Sequence, residues 1–282
     1  MNRVPLYQVD AFTDRPFRGN PAAVCLLPLP LPDERLQAIA AEMNLSETAF
    51  LLRTNRRRWV SGDTFSLRWF TPRTEVALCG HATLASAAVL FQAVGVEAEV
   101  LSFQTLSGEL RARRKGAGIE LDFPVDPPEP CEPPDDVVTA LGVPPEAVED
   151  AVYGAQTRTL LIRLSQASLV RALAPDFTAL LRASSMGDYQ GLIVTAAGAD
   201  DGPYDFISRF FAPWIGIDED PVTGSSHTLL APYWAAHLGK QHFRAYQASA
   251  RGGELEVSLL GADRVALLGQ AKIVLEGYLA LA

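Results

Sequence analysis

The chain carries one pattern twice. Around position 70 it reads Arg68-Trp69-Phe70-Thr71-Pro72, followed by Cys79-Gly80-His81-Ala82-Thr83-Leu84-Ala85. Around position 211 it reads Arg209-Phe210-Phe211-Ala212-Pro213, followed by Thr223-Gly224-Ser225-Ser226-His227-Thr228-Leu229. Downstream come Gln104…Gly108-Glu109-Leu110 and Gln247…Gly253-Glu254-Leu255, so the landmarks recur in order at offsets of 141 to 145 residues. That period is too long for a solenoid repeat. In a chain of 282 residues it predicts two similar domains in tandem. The Pro-rich run 124–134 reads as the linker between a first domain over 1–123 and a second over 135–270. Residues 271–282 are expected to form a terminal strand that returns to the first domain.

Each copy has the same coarse plan. Stretches rich in β-branched and aromatic residues read as strands: Tyr7–Phe12, Ala22–Leu27, Thr48–Leu52 and Phe65–Phe70, then Tyr153–Leu164, Gly191–Thr195 and Tyr204–Phe211. One apolar helix follows, over Ala82–Val94 in the first copy and Ser226–Leu238 in the second, each stopped by a glycine (Gly95, Gly239). Helices apolar over so much of their circumference must be buried. Further strands are predicted at Val100–Thr105, Glu109–Arg113, Gly118–Phe123, Phe243–Gln247, Glu254–Leu260 and Val265–Leu275. Asp33–Met43 and Leu169–Leu181 read as peripheral amphipathic helices.

Composition narrows the function. The net charge is −9, and all of the acidic excess lies beyond residue 126. Phosphate backbones repel such a chain, so nucleic acid is not the expected partner. The basic run Arg56-Arg57-Arg58 reads as a solvated turn. No long uncharged apolar run predicts a membrane span, and the N-terminus lacks the pattern of a secretory signal. Three cysteines, Cys25, Cys79 and Cys131, are an odd number without metal-like spacing, so neither disulfides nor a metal site is expected, and the default address is cytoplasmic. There is no phosphate loop, dinucleotide fingerprint or nucleophile elbow.

What remains is a set of polar residues at the helix starts. Gly80 and Gly224 open the two apolar helices, whose N-termini carry free N–H groups and partial positive charge, suited to a substrate carboxylate. Glu47, at the mouth of an apolar strand, is expected to have a raised pKa and to move protons, although spacing alone favours a cap or a solvent-facing glutamate. His81 at a helix start is expected to be neutral, because the helix dipole disfavours imidazolium. Asp220 either stabilises the second helix or orients His81 or a substrate group. Ser225 and Ser226 either cap that helix or bind a ligand oxygen. Cys79 is either a low-pKa thiol at a helix start or a packing residue, and His227 is a weaker candidate of the same kind.

At these residues the sequence resembles the phenazine-biosynthesis isomerase (PhzF-like) family. The resemblance runs from Val9-Asp10-Ala11-Phe12 and Gly19-Asn20-Pro21-Ala22-Ala23-Val24 through Asn44-Leu45-Ser46-Glu47-Thr48-Ala49-Phe50 and the two repeat motifs to Glu219-Asp220-Pro221-Val222-Thr223-Gly224-Ser225. It implies an α+β fold like that of diaminopimelate epimerase: two similar domains, each a mixed β-barrel around a central helix, with the active site in the cleft between them. It also implies a homodimer without a cofactor. The activity implied is isomerisation of a small unsaturated carboxylate, dihydro-hydroxyanthranilate-like, with Glu47, His81 and Asp220 catalytic and Asn20, Ser46, Gly80, Gly224 and Ser225 binding the substrate. Epimerase relatives use two facing cysteines; here Cys79 stands at one such place and Thr223 at the other. A racemase or epimerase using Cys79 is the second reading, and a non-catalytic ligand-binding protein the third.

Overall fold

A computed structural model describes residues 2–55, 58–183, 189–198 and 202–281. Arg56 and Arg57 of the basic run lie outside the described residues. The chain divides into two compact units, one of residues 1–123 with 267–282 and one of residues 124–266.

The first unit begins with β1 (Asn2–Ala11), β2 (Asn20–Leu27), α1 (Asp33–Met43), β3 (Glu47–Arg53), β4 (Thr64–Phe70) and β5 (Glu75–Val76). It continues through α2 (Gly80–Ala88), β6 (Val100–Thr105), β7 (Gly108–Lys115) and β8 (Gly118–Pro124). β1 and β2 pair antiparallel, β2 and β3 parallel, and β3 and β4 antiparallel. β4 then pairs antiparallel with β5 and parallel with β6, which pairs antiparallel with β7. Every residue of α2 is buried. Its sequence, Gly-His-Ala-Thr-Leu-Ala-Ser-Ala-Ala, is mostly small residues, so strands can pack closely around it. A π-helical turn, Val89–Val94, extends it to Gly95, whose positive φ of 76° ends the helix. Arg114 lies 4.1 Å over the Phe91 ring and donates to the carbonyls of Phe91 and Val96, a cation placed at the negative helix end.

The second unit repeats this order of pairings. It contains β9 (Pro128–Pro130), α3 (Asp135–Leu141), β10 (Val148–Gly154), β11 (Thr159–Leu164), α4 (Ala167–Ala172) and α5 (Phe177–Arg182). After them come β12 (Gly191–Ala197), β13 (Phe206–Ala212), β14 (Ile217–Asp220), α6 (Ser226–Leu238), β15 (His242–Gln247), β16 (Gly253–Leu259) and the start of β17 (Arg264–Gly269), whose last three residues belong to the first unit. β10–β11 is antiparallel, β11–β12 parallel and β12–β13 antiparallel. β13 pairs antiparallel with β14 and parallel with β15, and β15–β16 is antiparallel. The last strand, β18 (Ala271–Leu281), belongs to the first unit and runs antiparallel along β1.

The repeat also persists in side-chain geometry. Arg68 grips Glu75 with two hydrogen bonds, Nε at 2.6 Å and Nη2 at 2.7 Å, with its guanidinium 5.1 Å over Phe70. Arg209 grips Glu219 likewise, at 2.7 and 2.9 Å, with its guanidinium 5.0 Å over Phe211. In each unit this fork ties the short strand before the helix to its neighbour.

Several sequence expectations need correction. The Pro-rich run is not a free linker. Pro128–Pro130 pairs with β10, and the buried Asp126 carboxylate accepts hydrogen bonds from the backbone of Gln156 and Thr157 and from the Thr157 hydroxyl. The Asp126 N–H also donates to Thr228 O, the carbonyl that Pro232, lacking an N–H, leaves without its helical partner. Tyr153–Leu164 is a hairpin, β10 and β11, closed at the turn that Asp126 holds. Leu169–Leu181 is two short helices, because Pro175 between them cannot continue the first. Val265–Leu275 breaks at Gln270, whose carbonyl accepts the Thr13 N–H, and the second piece extends to Leu281. Among the described residues no helix is long and apolar enough to cross a membrane.

Candidate active site

In the first unit, three elements bring four polar side chains together. Asn20 opens β2 and is fully buried; Glu47 opens β3, one residue after the partly exposed Ser46; Cys79 and His81 flank Gly80 at the start of α2. β2 and β3 run parallel, with Ala22 opposite Glu47, so both strands start at the same edge. Glu47 Oε2 lies 3.1 Å from His81 Nε2 at ion-pair distance, off the alignment of a hydrogen bond. On the other side of the ring, Nδ1 lies 3.2 Å from the Asn20 amide nitrogen and 3.5 Å from Cys79 Sγ. Glu47 retains 9% exposure, Cys79 7% and His81 4%.

This arrangement overturns the expectation of a neutral His81. Burial opposes its charge, but the neighbouring Cys79, through charge and its contact with Nδ1, and the charge of Glu47 prevail and hold its pKa well above the usual histidine value. A charged neighbour at contact distance outweighs the partial charge of a helix end. An imidazolium donates at both nitrogens, so Nδ1–H faces the sulfur and the Asn20 amide, whose oxygen can turn inward. Cys79 moves opposite to the low-pKa expectation. Burial and the Glu47 charge push its thiol up to about 11, against the weaker pull of His81 and of the Ala82 N–H.

Glu47, Cys79 and His81 offer ligand atoms within 4.8 Å of one another. The thiol lies 3.5 Å from Nδ1 and the carboxylate 3.1 Å from Nε2.

The remaining residues belong to the second unit. Asp220 ends β14, 8% exposed, and its Oδ2 accepts the Thr223 hydroxyl at 2.5 Å. Thr223 is held at every polar atom. Its N–H donates to Gln247 Oε1 at 2.8 Å, and its carbonyl accepts from Ser226 Oγ at 2.7 Å and His227 Nδ1 at 2.9 Å. Gln247 Nε2 in turn donates to Asp220 O at 2.8 Å and lies 3.2 Å from Thr223 Oγ1. Gly224 is buried ahead of α6, and Ser225 is its partly exposed N-cap, without a side-chain cap bond. The capping role expected of Ser225 and Ser226 falls to neither in the usual form, since Ser226 reaches back to Thr223. His227 is structural: burial takes its pKa down to about 4, against the opposing bond to Thr223, so Nδ1–H donates to a carbonyl that can only accept. Sequence reading missed Gln247, whose one signal was its recurrence with Gln104 in the repeat.

Comparison with known proteins gives a consistent picture. The sequence profile of the PhzC-PhzF family, described as phenazine biosynthesis-like protein, matches residues 9–277. A phenazine biosynthesis-like domain-containing protein of Pongo abelii is 49% identical over 98% of this chain and 99% of its own. A Pseudomonas aeruginosa protein described as an uncharacterized isomerase is 48% identical, covering 98% of each chain. A crystal structure of a PhzF-family phenazine biosynthesis protein from Enterococcus faecalis superposes with a TM-score of 0.89 at 41% identity, covering 99% of this chain and 100% of that one. A predicted epimerase from Pseudomonas aeruginosa, 22% identical, shares the fold with a TM-score of 0.74 over the whole of both chains. Buried Glu47–His81 pairing, the doubled α/β plan and these matches agree, and the chain belongs to the phenazine biosynthesis-like PhzC-PhzF family.

Proposed function

We propose that the protein is an isomerase that moves a proton within a small unsaturated carboxylate, with Glu47 as the acid and base. The observation that carries this reading is the Glu47 carboxylate, nearly buried and 3.1 Å from His81 at the start of a buried helix. Family membership and the relative described as an isomerase support it. Glu47 removes a proton from a carbon acidified by conjugation to a carboxylate-bearing double bond, then returns it further along the conjugated system. The positive N-terminal end of α2 holds the substrate carboxylate and the negative charge that develops on it. His81 keeps Glu47 oriented and balances its charge. Asn20 steadies His81, and Ser46, Gly80, Asp220, Gly224 and Ser225 hold polar groups of the substrate. The same reading makes the molecule a homodimer working without a cofactor, as the family resemblance implies, with the cytoplasmic address that its cysteine usage suggests.

Cys79 touches His81, which keeps a thiol-dependent racemase as the competing reading. Two observations weigh against it: the thiol is pushed up to about 11, and Thr223 donates its hydroxyl proton to Asp220. The test is a deuterium-uptake screen by NMR in deuterated buffer, with 2,3-dihydro-3-hydroxyanthranilate and small cyclic and acyclic unsaturated carboxylates. Uptake with migration of the double bond supports the isomerase. Scrambling of a stereocentre that depends on Cys79 replaces it with a racemase. Saturable binding without uptake replaces it with a binding protein.

A further inference from the structure

Gln104 and Gln247 recur in the sequence repeat, but with Arg68 and Arg209 aligned the strand register matches Gln104 with Tyr246, one residue before Gln247. Gln104 is exposed, whereas Gln247 has no exposed surface. Burying a primary amide is costly unless its polar atoms are bonded, and Gln247 places both ends on the loop before α6. Its Oε1 accepts the Thr223 N–H, and its Nε2 donates to the Asp220 carbonyl. A peptide N–H can only donate and a peptide carbonyl can only accept, so the orientation of the amide is fixed by chemistry. With Nε2 as donor, the Thr223 hydroxyl accepts from it and directs its single proton to Asp220 Oδ2. The chain of donors thus runs one way, from Gln247 through Thr223 to Asp220, and ends on a carboxylate oxygen held as an acceptor. In the first unit Cys79 stands where Thr223 stands here.

The geometry points to Gln247 as a positioning residue for the reaction, one that fixes the conformation and acceptor state of Asp220 through the Thr223 hydroxyl. The inference rests on the reading that Asp220 serves the reaction. Glutamine is required chemically: glutamate cannot donate to the Asp220 carbonyl, and methionine fills the space without either bond.

The experiment compares full-length wild type with Gln247→Met, Gln247→Glu, Thr223→Val and Thr223→Ser. The first readout needs no substrate. It is the proton NMR resonance of the Thr223 hydroxyl, expected downfield and slow to exchange because it is buried in a 2.5 Å bond. It should disappear in Gln247→Met and Thr223→Val and survive in Thr223→Ser. The second readout is deuterium uptake by 2,3-dihydro-3-hydroxyanthranilate. There kcat should fall roughly 10- to 100-fold in Gln247→Met and Gln247→Glu, the loss typical of a supporting hydrogen-bond partner, while KM stays near wild type. Thr223→Val leaves both Gln247 backbone bonds in place, so it tests the relay if the glutamine variants fail to fold. An unchanged hydroxyl resonance in Gln247→Met overturns the inference. So does near-wild-type kcat in both glutamine variants when Asp220→Asn is inactive. If the wild type takes up no deuterium, the isomerase reading fails with this probe, and the hydroxyl resonance still decides what Gln247 does.

Discussion

Glu47 and His81 meet 3.1 Å apart, one from the first residue of a strand and the other from the first turn of a buried helix, and both are almost wholly enclosed. Each offsets the cost of burying the other. Removing either partner leaves a charge stranded in the protein, a change of roughly 3–5 kcal/mol for a buried pair. The histidine is the partner whose pKa moves, upward, and this gives the pair a sign in pH. Stability contributed by His81 is fully present below the unfolded histidine pKa of about 6.5. It is lost as the pH rises through the higher folded value. Denaturant titrations of wild type and His81→Gln across neutral to alkaline pH should therefore converge as the pH increases. Parallel curves would contradict the ion pair.

His227 has the opposite sign. Its folded pKa of about 4 lies below the unfolded value, so the unfolded chain takes up a proton between the two. Folding should weaken by up to about 3 kcal/mol as the pH falls from about 6.5 to 4. His227→Gln, which keeps a side-chain N–H donor for Thr223 O, should flatten that part of the acid-unfolding curve. Equal acid sensitivity in the variant would place the titration elsewhere.

Cys79 is a buried thiol, not a standing nucleophile, with its pKa at about 11. Cys79→Ser should retain deuterium uptake within a few-fold of wild type and cost on the order of 1 kcal/mol for burying a hydroxyl, read by thermal unfolding. Loss of uptake comparable to that of a Glu47 variant would assign the thiol a proton-transfer role.

Asp126 fastens the Pro-rich segment to the second unit by accepting from three donors and by covering the carbonyl that Pro232 leaves open. Asp126→Ala should destabilise the protein by roughly 3 kcal/mol, since buried donors are left unpaired, while Asp126→Asn loses less. A variant as stable as wild type in urea unfolding would show that the segment is only loosely held.

Much of this was legible in the sequence because it depends on local chemistry. The repeat, the glycine-bounded apolar helices and the placing of Glu47 at the start of an apolar strand are written in residue order and periodicity. Pro175, which divides α4 from α5, was equally legible and was overridden by an apolar pattern running through it. What the sequence could not display are properties set by distant partners. The charge of His81 is decided by Cys79 and by Glu47, the latter brought near by the folding of β3 against β2 and α2. The Pro-rich run looked like a linker because its anchor, Asp126, finds its donors in a turn thirty residues on. Gln247 looked like Gln104 in residue order, but the strand register puts Tyr246 at the place of Gln104 and turns Gln247 inward.

The central claim is that Glu47 carries the proton. The most direct measurement is deuterium uptake by 2,3-dihydro-3-hydroxyanthranilate in deuterated buffer, wild type against Glu47→Gln, with both shown folded by circular dichroism. Wild type should incorporate deuterium as the double bond migrates, and Glu47→Gln should be slower by roughly 10²- to 10⁴-fold, the share general acid–base catalysis supplies. Uptake by Glu47→Gln at the wild-type rate would contradict the account.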